Sequence, residues 1–171
     1  KGRAIQNLIN IGSDDKVKAF ICTQDLKDED YINSHYVIMA TKKGQVKKTP
    51  LEQYSRPRTN GINAITIKEG DELLEAKLTT GDSQVMLAVK SGKAIRFEEE
   101  KTRSMGRNAS GVRGIRLNSE KDEVIGMITI NESETDVLVV SENGYGKRSS
   151  LEDYRITNRG GKGVKTISVT E

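Results

Sequence analysis

Short apolar runs separated by polar turns recur along the whole chain. The runs are rich in β-branched residues and are bounded by Gly, Asn, Asp and Ser, a pattern typical of β-strands. No long segment has apolar residues at helical spacing, so no long helix is expected. The sequence therefore predicts an all-β protein. The predicted strands are 3–11, 16–23, 36–41, 45–49, 62–67, 72–79 and one that starts at 85.

These runs belong to a unit that repeats about every 50 residues. Each unit carries a turn glycine after its first strand, and the intervals between these glycines are 48 and 52 residues. A second set of glycines later in the unit is spaced by 50 and 52 residues. Roughly four strands in a repeat of this length match one blade of a β-propeller. The two sets are Gly44, Gly92 and Gly144, and Gly61, Gly111 and Gly163.

The period divides the chain into parts of an incomplete disc with about four strands per blade. Residues 23–31 form an acidic insertion between blades, which we interpret as a solvated surface loop. The turn glycines are expected to adopt a positive φ, which closes the tight turn of a hairpin. The predicted parts are a blade fragment at 1–35, complete blades at 36–84 and 85–136, and a partial blade at 137–171.

Charge is distributed with the same period. The chain has 28 Lys and Arg against 25 Asp and Glu, a net charge of only +3. Residues 41–60 nevertheless hold six basic and one acidic residue, residues 90–117 eight and three, and residues 144–165 six and two. Equivalent segments of successive blades lie side by side on one rim, so these segments predict a continuous basic surface.

A basic surface of this kind suits a polyanion. Lys and Arg side chains displace condensed counterions from DNA, which gives affinity without base recognition and a strong dependence on salt. Aromatic residues make up only 4% of the chain, and they do not recur beside the basic residues in all repeats, so stacking on single-stranded bases is disfavoured. The sequence therefore favours duplex DNA as the partner.

Few residues in the chain are suited to catalysis or metal binding. A single cysteine, Cys22, and a single histidine, His35, exclude a Cys/His zinc site and leave few options for nucleophilic catalysis. Asp14-Asp15 and Glu98-Glu99-Glu100 could supply the carboxylates of a hydrolase, but adjacent acids in polar turns are interpreted as solvated charge. Tyr54 and Tyr154 occupy equivalent positions and are expected to pack in the core. We predict no catalytic residue and no metal site.

The chain also lacks targeting and membrane signals. No apolar run approaches the roughly 18 to 20 residues of a spanning helix, and the first residues lack the apolar segment of a signal peptide. We expect a cytoplasmic protein that does not bind membranes.

The segment 157–163 is dense in glycine and cations. Glycine allows the backbone to approach a phosphate closely, while Arg159 and Lys162 add positive charge. The segment resembles the gyrase A box found in the C-terminal domain of the DNA gyrase A protein, with Thr157 and Asn158 in place of its first two residues. Further similar segments are 44–49, 105–117 and 143–148, so the resemblance extends over nearly the whole chain.

The resemblance implies a six-bladed β-pinwheel, a propeller-like disc with altered strand connections, that wraps DNA around its rim and supports negative supercoiling. The true box lies in the first blade of that family, so 157–163 is interpreted as a box-like loop of a later blade that makes ordinary DNA contacts. The fragment itself would need no cofactor. The resemblance implies ATP and Mg²⁺ in the holoenzyme. The partners that it implies in the bacterial nucleoid are the gyrase B protein and the rest of the gyrase A protein, in an A2B2 heterotetramer.

Two alternatives remain open. One is the related C-terminal domain of the topoisomerase IV A protein, and the other is a propeller used only for protein–protein contacts. The main prediction is a DNA-binding surface. Its predicted residues are Lys43, Lys47, Lys48, Arg56, Arg58, Lys93, Arg96, Arg103, Arg107, Arg113, Lys147, Arg148, Arg155, Arg159, Gly160, Gly161, Lys162 and Lys165.

Overall fold

Short β-strands account for most of the regular structure in residues 2–169, the part of the chain that the computed structural model describes. Positions 1, 170 and 171, at the ends of the predicted blade fragment and partial blade, lie outside the described residues. The strands are β1 Tyr36–Thr41, β2 Gln45–Pro50, β3 Leu73–Thr79, β4 Gln84–Val89, β5 Lys93–Glu98, β6 Val112–Arg113, β7 Val124–Ile130, β8 Asp136–Val140, β9 Gly146–Ser150 and β10 Val164–Lys165. One α-helix, α1, spans Glu29–Ser34, and 3-10 turns span Ile5–Asn7, Leu51–Tyr54, Glu99–Lys101 and Leu151–Asp153.

The strands form three antiparallel sheets in the described part of the chain. The first has the order β3-β1-β2-β6, the second β10-β5-β4-β7, and the third consists of β8 and β9. The predicted all-β repeat fold is confirmed. The fourth strand of each four-stranded sheet comes from the next repeat, because Val112 of β6 pairs with Val46 of β2 and Val164 of β10 pairs with Ala94 of β5. Consecutive repeats are therefore joined by shared sheets.

The turn glycines behave as predicted. Gly44, Gly92 and Gly144 have φ values of 84°, 80° and 84° and lie in the tight turns of the hairpins β1-β2, β4-β5 and β8-β9. An L-residue with a side chain is disfavoured at such a φ.

Three of the predicted strands are absent from residues 2–169. Residues 3–11 contain only a 3-10 turn, residues 16–23 are irregular, and residues 62–67 are irregular as well. Segment 62–67 occupies the repeat position of β6 and β10, which pair with a strand of the preceding repeat. The repeat that precedes segment 62–67 would lie in residues 2–28, which contain no strand. Segment 62–67 therefore has no strand there with which to pair. An apolar run becomes a strand only where a neighbouring backbone accepts its hydrogen bonds.

The acidic insertion is only partly the solvated loop that the sequence predicts. Asp28 caps α1, because its carboxylate accepts hydrogen bonds from the backbone N–H groups of Asp30 and Tyr31. This is the preferred N-cap arrangement. Ile32 on the same helix is 7% exposed and packs with Leu51 against the first sheet. The second half of the insertion is therefore structured.

The core lies between successive sheets. Ile38 and Val46 of the first sheet pack with Leu87 and Phe97 of the second, and all four are buried. Burial of each such side chain stabilises the fold by about 1.5 to 3 kcal/mol. The opposite face of the second sheet packs against the third repeat.

The two equivalent tyrosines pack against these cores, as predicted. Tyr154 is 4% exposed within the cluster between the second and third repeats. Tyr54 is partly buried beside the first sheet, and its hydroxyl donates to the carbonyl of Ala64. Neither tyrosine is presented as a free nucleophile.

Candidate nucleic-acid interface

The predicted cations fall into three groups by exposure. Lys47 and Lys48 are buried, at 0% and 7% exposure. Half of the others lie in the turns and loops that follow β2, β5 and β9, and the rest lie in strands or in the β1–β2 turn. The half-buried cations are Lys93, Arg96, Arg107 and Arg159. The exposed cations are Lys43, Arg56, Arg58, Arg103, Arg113, Lys147, Arg148, Arg155, Lys162 and Lys165.

The prediction that Lys47 and Lys48 belong to the DNA-binding surface is wrong, because both side chains are buried. The Lys47 ammonium donates to the backbone carbonyls of Ala64 and Arg107, each at 2.5 Å. The Lys48 ammonium lies 3.2 Å from Glu99 Oε1 and donates to the carbonyl of Gly81. Both ammonium groups are used inside the protein, so neither residue belongs to the candidate interface.

Arg96 also has a mainly structural environment. Its Nε donates to Gln84 Oε1 at 2.7 Å, and its Nη1 donates to the carbonyl of Leu151 at 2.6 Å and to that of Tyr154 at 3.2 Å. These bonds join the second sheet to the third repeat.

The box-like loop, residues 157–163, is held against the preceding repeat. Arg159 donates from Nε to the carbonyl of Lys101 at 2.8 Å and from Nη1 to the carbonyl of Arg113 at 3.1 Å. Gly160 N–H donates to the carbonyl of Gly114 at 2.6 Å. Gly161 is exposed and supplies its carbonyl to the backbone N–H of Arg116. The loop is therefore positioned by residues 101 to 116.

The equivalent loop of the second repeat, residues 105–111, is held in the same way. Arg107 Nη1 donates to the carbonyl of Asn63 at 3.2 Å, and Asn63 is the repeat counterpart of Arg113. The same guanidinium-to-carbonyl contact thus occurs at two successive repeats. It fixes each loop relative to the repeat before it.

Exposed cations gather where the box-like loop meets the first sheet. Lys43, Arg113 and Arg116 line an open groove of about 670 Å³, together with one acidic residue, Glu120. The aliphatic part of Arg113 lies beside Gly160. A smaller hollow of about 270 Å³ between β5 and the box-like loop is lined by Arg155 and Lys162, among others. The sequence prediction missed Arg116, although it lies in the basic segment 90–117 and follows Arg113 by three residues. We call Lys43, Arg113, Arg116, Arg155 and Lys162 the basic surface.

Like charges face each other at one point near this surface. Lys93 and Lys165 are directly opposite in the register of β5 and β10, an arrangement that destabilises a sheet when no anion is present. Lys93 Nζ has a neutral partner, Asn118 Oδ1, at 3.3 Å. This pair favours an anionic ligand.

Three of the acidic candidates make contacts within the chain. Glu99 is fully buried and bonded to Lys48, which corrects the prediction that it is solvated. Glu98 accepts a hydrogen bond from Gln84 Nε2, and Asp15 accepts one from the backbone of Gly12. Among residues 2–169 no group of three or more His, Cys, Asp and Glu side chains is arranged to hold a metal ion. No helix in that range has the length and apolar character needed to span a membrane.

Comparison with known proteins adds the evolutionary context of this surface. Residues 35–80, 84–131 and 135–171 match the family described as DNA gyrase C-terminal domain, beta-propeller. The chain belongs to the DNA gyrase C-terminal domain family. It is 44% identical over 172 residues to the DNA gyrase A protein of Staphylococcus epidermidis strain ATCC 12228 / FDA PCI 1200, a match that covers 100% of this chain and 19% of that protein. The chain thus spans about a fifth of the length of the curated relatives that it matches.

Two solved structures have the same fold as this chain. The C-terminal domain of DNA topoisomerase IV matches with a TM-score of 0.85 and 27% identity, over 96% of this chain and 49% of the other. The C-terminal domain of DNA gyrase A matches with a TM-score of 0.82 and 26% identity, over 96% of this chain and 52% of the other. The sequence resemblance to this domain family is confirmed.

The buried Lys47 gives a prediction about stability and pH in this family member. Burial, followed by the nearby charge of Arg107, lowers the pKa of Lys47 from 10.5 to about 8. Between these two values the unfolded chain binds more protons than the native one, so stability rises with pH. We expect the free energy of unfolding, relative to that of Lys47→Met, to rise by about 2 to 3 kcal/mol from pH 7 to pH 10.

Urea unfolding of both proteins at each pH measures this difference. Lys147→Met is the matched control, because Lys147 occupies the same repeat position but is exposed. A difference between the native protein and Lys47→Met that stays constant over this range would show that the ammonium is not buried as described.

Proposed function

We propose that this chain binds duplex DNA through the basic surface and bends it along the rim formed by successive repeats. Its contacts would be to backbone phosphates, which position DNA without base recognition. The observation that carries the proposal is the placement of Lys43, Arg113 and Arg116 in one open groove beside the box-like loop. The exposed Arg56, Arg58, Arg103, Lys147, Arg148 and Lys165 extend the positive charge along the chain.

We further propose that the chain works as part of a gyrase-type A protein. In that setting it would bind DNA for ATP-dependent negative supercoiling, with the remaining part of the A protein and with the gyrase B protein in an A2B2 assembly in the bacterial cytoplasm. ATP and Mg²⁺ would be bound elsewhere in that assembly. Support comes from the 44% identity to a DNA gyrase A protein along the whole chain.

The topoisomerase IV alternative is less well supported. The overall shape does not discriminate, since the TM-scores for the topoisomerase IV and gyrase domains are 0.85 and 0.82. The identity to the gyrase protein favours the first assignment. A role in protein–protein contacts alone would leave the opposed Lys93 and Lys165 without a function.

The proposal predicts the effect of removing two cations of the groove. Arg113→Ala/Arg116→Ala should weaken duplex binding to a similar degree for unrelated sequences and reduce the steepness of the salt dependence by about 1 per cation removed. Fluorescence anisotropy with two duplexes of equal length, at several salt concentrations, measures both effects. Lys68→Ala/Lys121→Ala is the control, because both lysines are exposed outside the basic surface. Equal effects of the two double variants, or a loss confined to one duplex, would contradict the proposed site.

A further inference from the structure

A buried polar cluster joins the first and second repeats. Glu99 is 0% exposed and begins the 3-10 turn after β5. Its Oε1 accepts a 2.6 Å hydrogen bond from Thr79 Oγ1 at the end of β3 and lies 3.2 Å from Lys48 Nζ on β2. Lys48 also donates to the carbonyl of Gly81 and lies 4.4 Å from the centre of the Tyr36 ring. We call Lys48, Thr79 and Glu99 the junction cluster.

The same junction between the second and third repeats is built differently. The residues that correspond to Glu99 and Thr79 are Leu151 and Ile130, as the register of the strands and the start of each 3-10 turn show. Both are buried in one apolar cluster. Arg96, the counterpart of Lys48, donates to the backbone carbonyl of Leu151 instead of to a carboxylate.

The second junction has apolar side chains where the first has Thr79 and Glu99, so the hydroxyl and the carboxylate are not needed to fill space. Replacement of a buried ion pair by apolar side chains is often neutral or stabilising, which means that net stability does not explain it. Hydrogen bonds are directional, whereas apolar contacts are not. A slide or rotation between the two sheets would separate the buried carboxylate from its two donors at a cost that apolar contacts do not impose.

We propose that the junction cluster fixes the angle between the first and second sheets, and that Lys48, Thr79 and Glu99 act as positioning residues for the path of the rim. The second junction has no buried carboxylate, and across it Arg96 donates only to backbone carbonyls, those of Leu151 and Tyr154. The consequence for DNA rests on the proposed function: a fixed angle between two parts of the basic rim sets the bend of a duplex bound across them.

The test replaces the three residues of the junction cluster by the residue types found at the second junction. Thr79→Ile/Glu99→Leu/Lys48→Arg is made in the full-length protein that carries this chain, in a Cys22→Ser background. Spin labels on exposed residues 69 and 121 report the distance between the first two repeats without DNA, and labels on 121 and 142 report the next junction. We expect a wider 69–121 distance distribution in the variant and an unchanged 121–142 distribution.

An unchanged 69–121 distribution in the folded triple variant would overturn the proposal. If the triple variant does not fold, Lys48→Met/Glu99→Leu is measured in its place, with the same two outcomes. A duplex labelled at both ends then reports the bend by energy transfer at saturating protein, and the variants should bend it less at similar affinity. The label distances are measured without DNA, so failure of the positioning role is distinguished from failure of DNA binding.

Discussion

Replacement of Glu99 by leucine alone should lower the free energy of unfolding by about 3 kcal/mol. The change leaves the buried Lys48 ammonium without its carboxylate, and an unpaired charge in the interior is costly. Gly81 and Tyr36 still contact the ammonium. The expected loss of stability is therefore at the low end of the range for removal of one partner of a buried ion pair. Urea unfolding at neutral pH measures it.

The double variant Lys48→Met/Glu99→Leu should recover most of this loss, to within about 1 kcal/mol of the native protein, since two apolar groups of similar size replace the pair. Glu100→Leu is the matched control, because Glu100 is the exposed neighbour of Glu99. A Glu99→Leu protein as stable as the control would mean that the pair is not buried as described.

Substitution of Gly111 by alanine should be more damaging than the same change at Gly61, its counterpart in the preceding repeat. Both glycines have a positive φ, 93° and 77°, which costs about 1 to 2 kcal/mol for a residue with a side chain. A Cβ atom on Gly111 would also lie 2.6 Å from the carbonyl oxygen of Val46, whereas one on Gly61 would meet nothing within 4 Å.

The expected losses are about 1 to 2 kcal/mol for Gly61→Ala and about 3 to 5 kcal/mol for Gly111→Ala, the excess being the cost of overpacking. Thermal and urea unfolding of the two variants measure both losses of stability. The difference between the losses is the cost of the steric contact, and the loss in Gly61→Ala is the cost of the positive φ. Equal losses would contradict the close approach of the 105–111 loop to β2. Gly163→Ala tests the same contact independently in the next repeat, because a Cβ atom on Gly163 would lie 2.5 Å from the carbonyl oxygen of Ala94.

The repeat period could be predicted from the sequence because short-range features carry it. Gly44, Gly92 and Gly144 mark the hairpin turns through a local requirement for positive φ, and the apolar runs before them form β1, β4 and β8. The absence of a strand at 62–67 could not be predicted, because it depends on whether another segment supplies a backbone partner.

The burial or exposure of individual lysines could not be predicted from the sequence either. Lys47 and Lys147 occupy the same repeat position, yet the first is buried under the loop 105–111 and the second is exposed. The loop that buries Lys47 lies about 60 positions further along the chain, at Arg107. Charge periodicity predicts which face of the repeat is basic, but contacts between repeats decide which cations reach solvent.

Duplex binding measured against salt concentration tests the DNA-binding account most directly. Each neutralised phosphate contributes about −0.9 to the slope of log K against log salt. If four or more cations of the basic surface and its extensions contact phosphates, the slope should be about −4 or steeper and the same for unrelated duplexes of equal length. A slope near zero, or affinity that depends on one particular sequence, would contradict it.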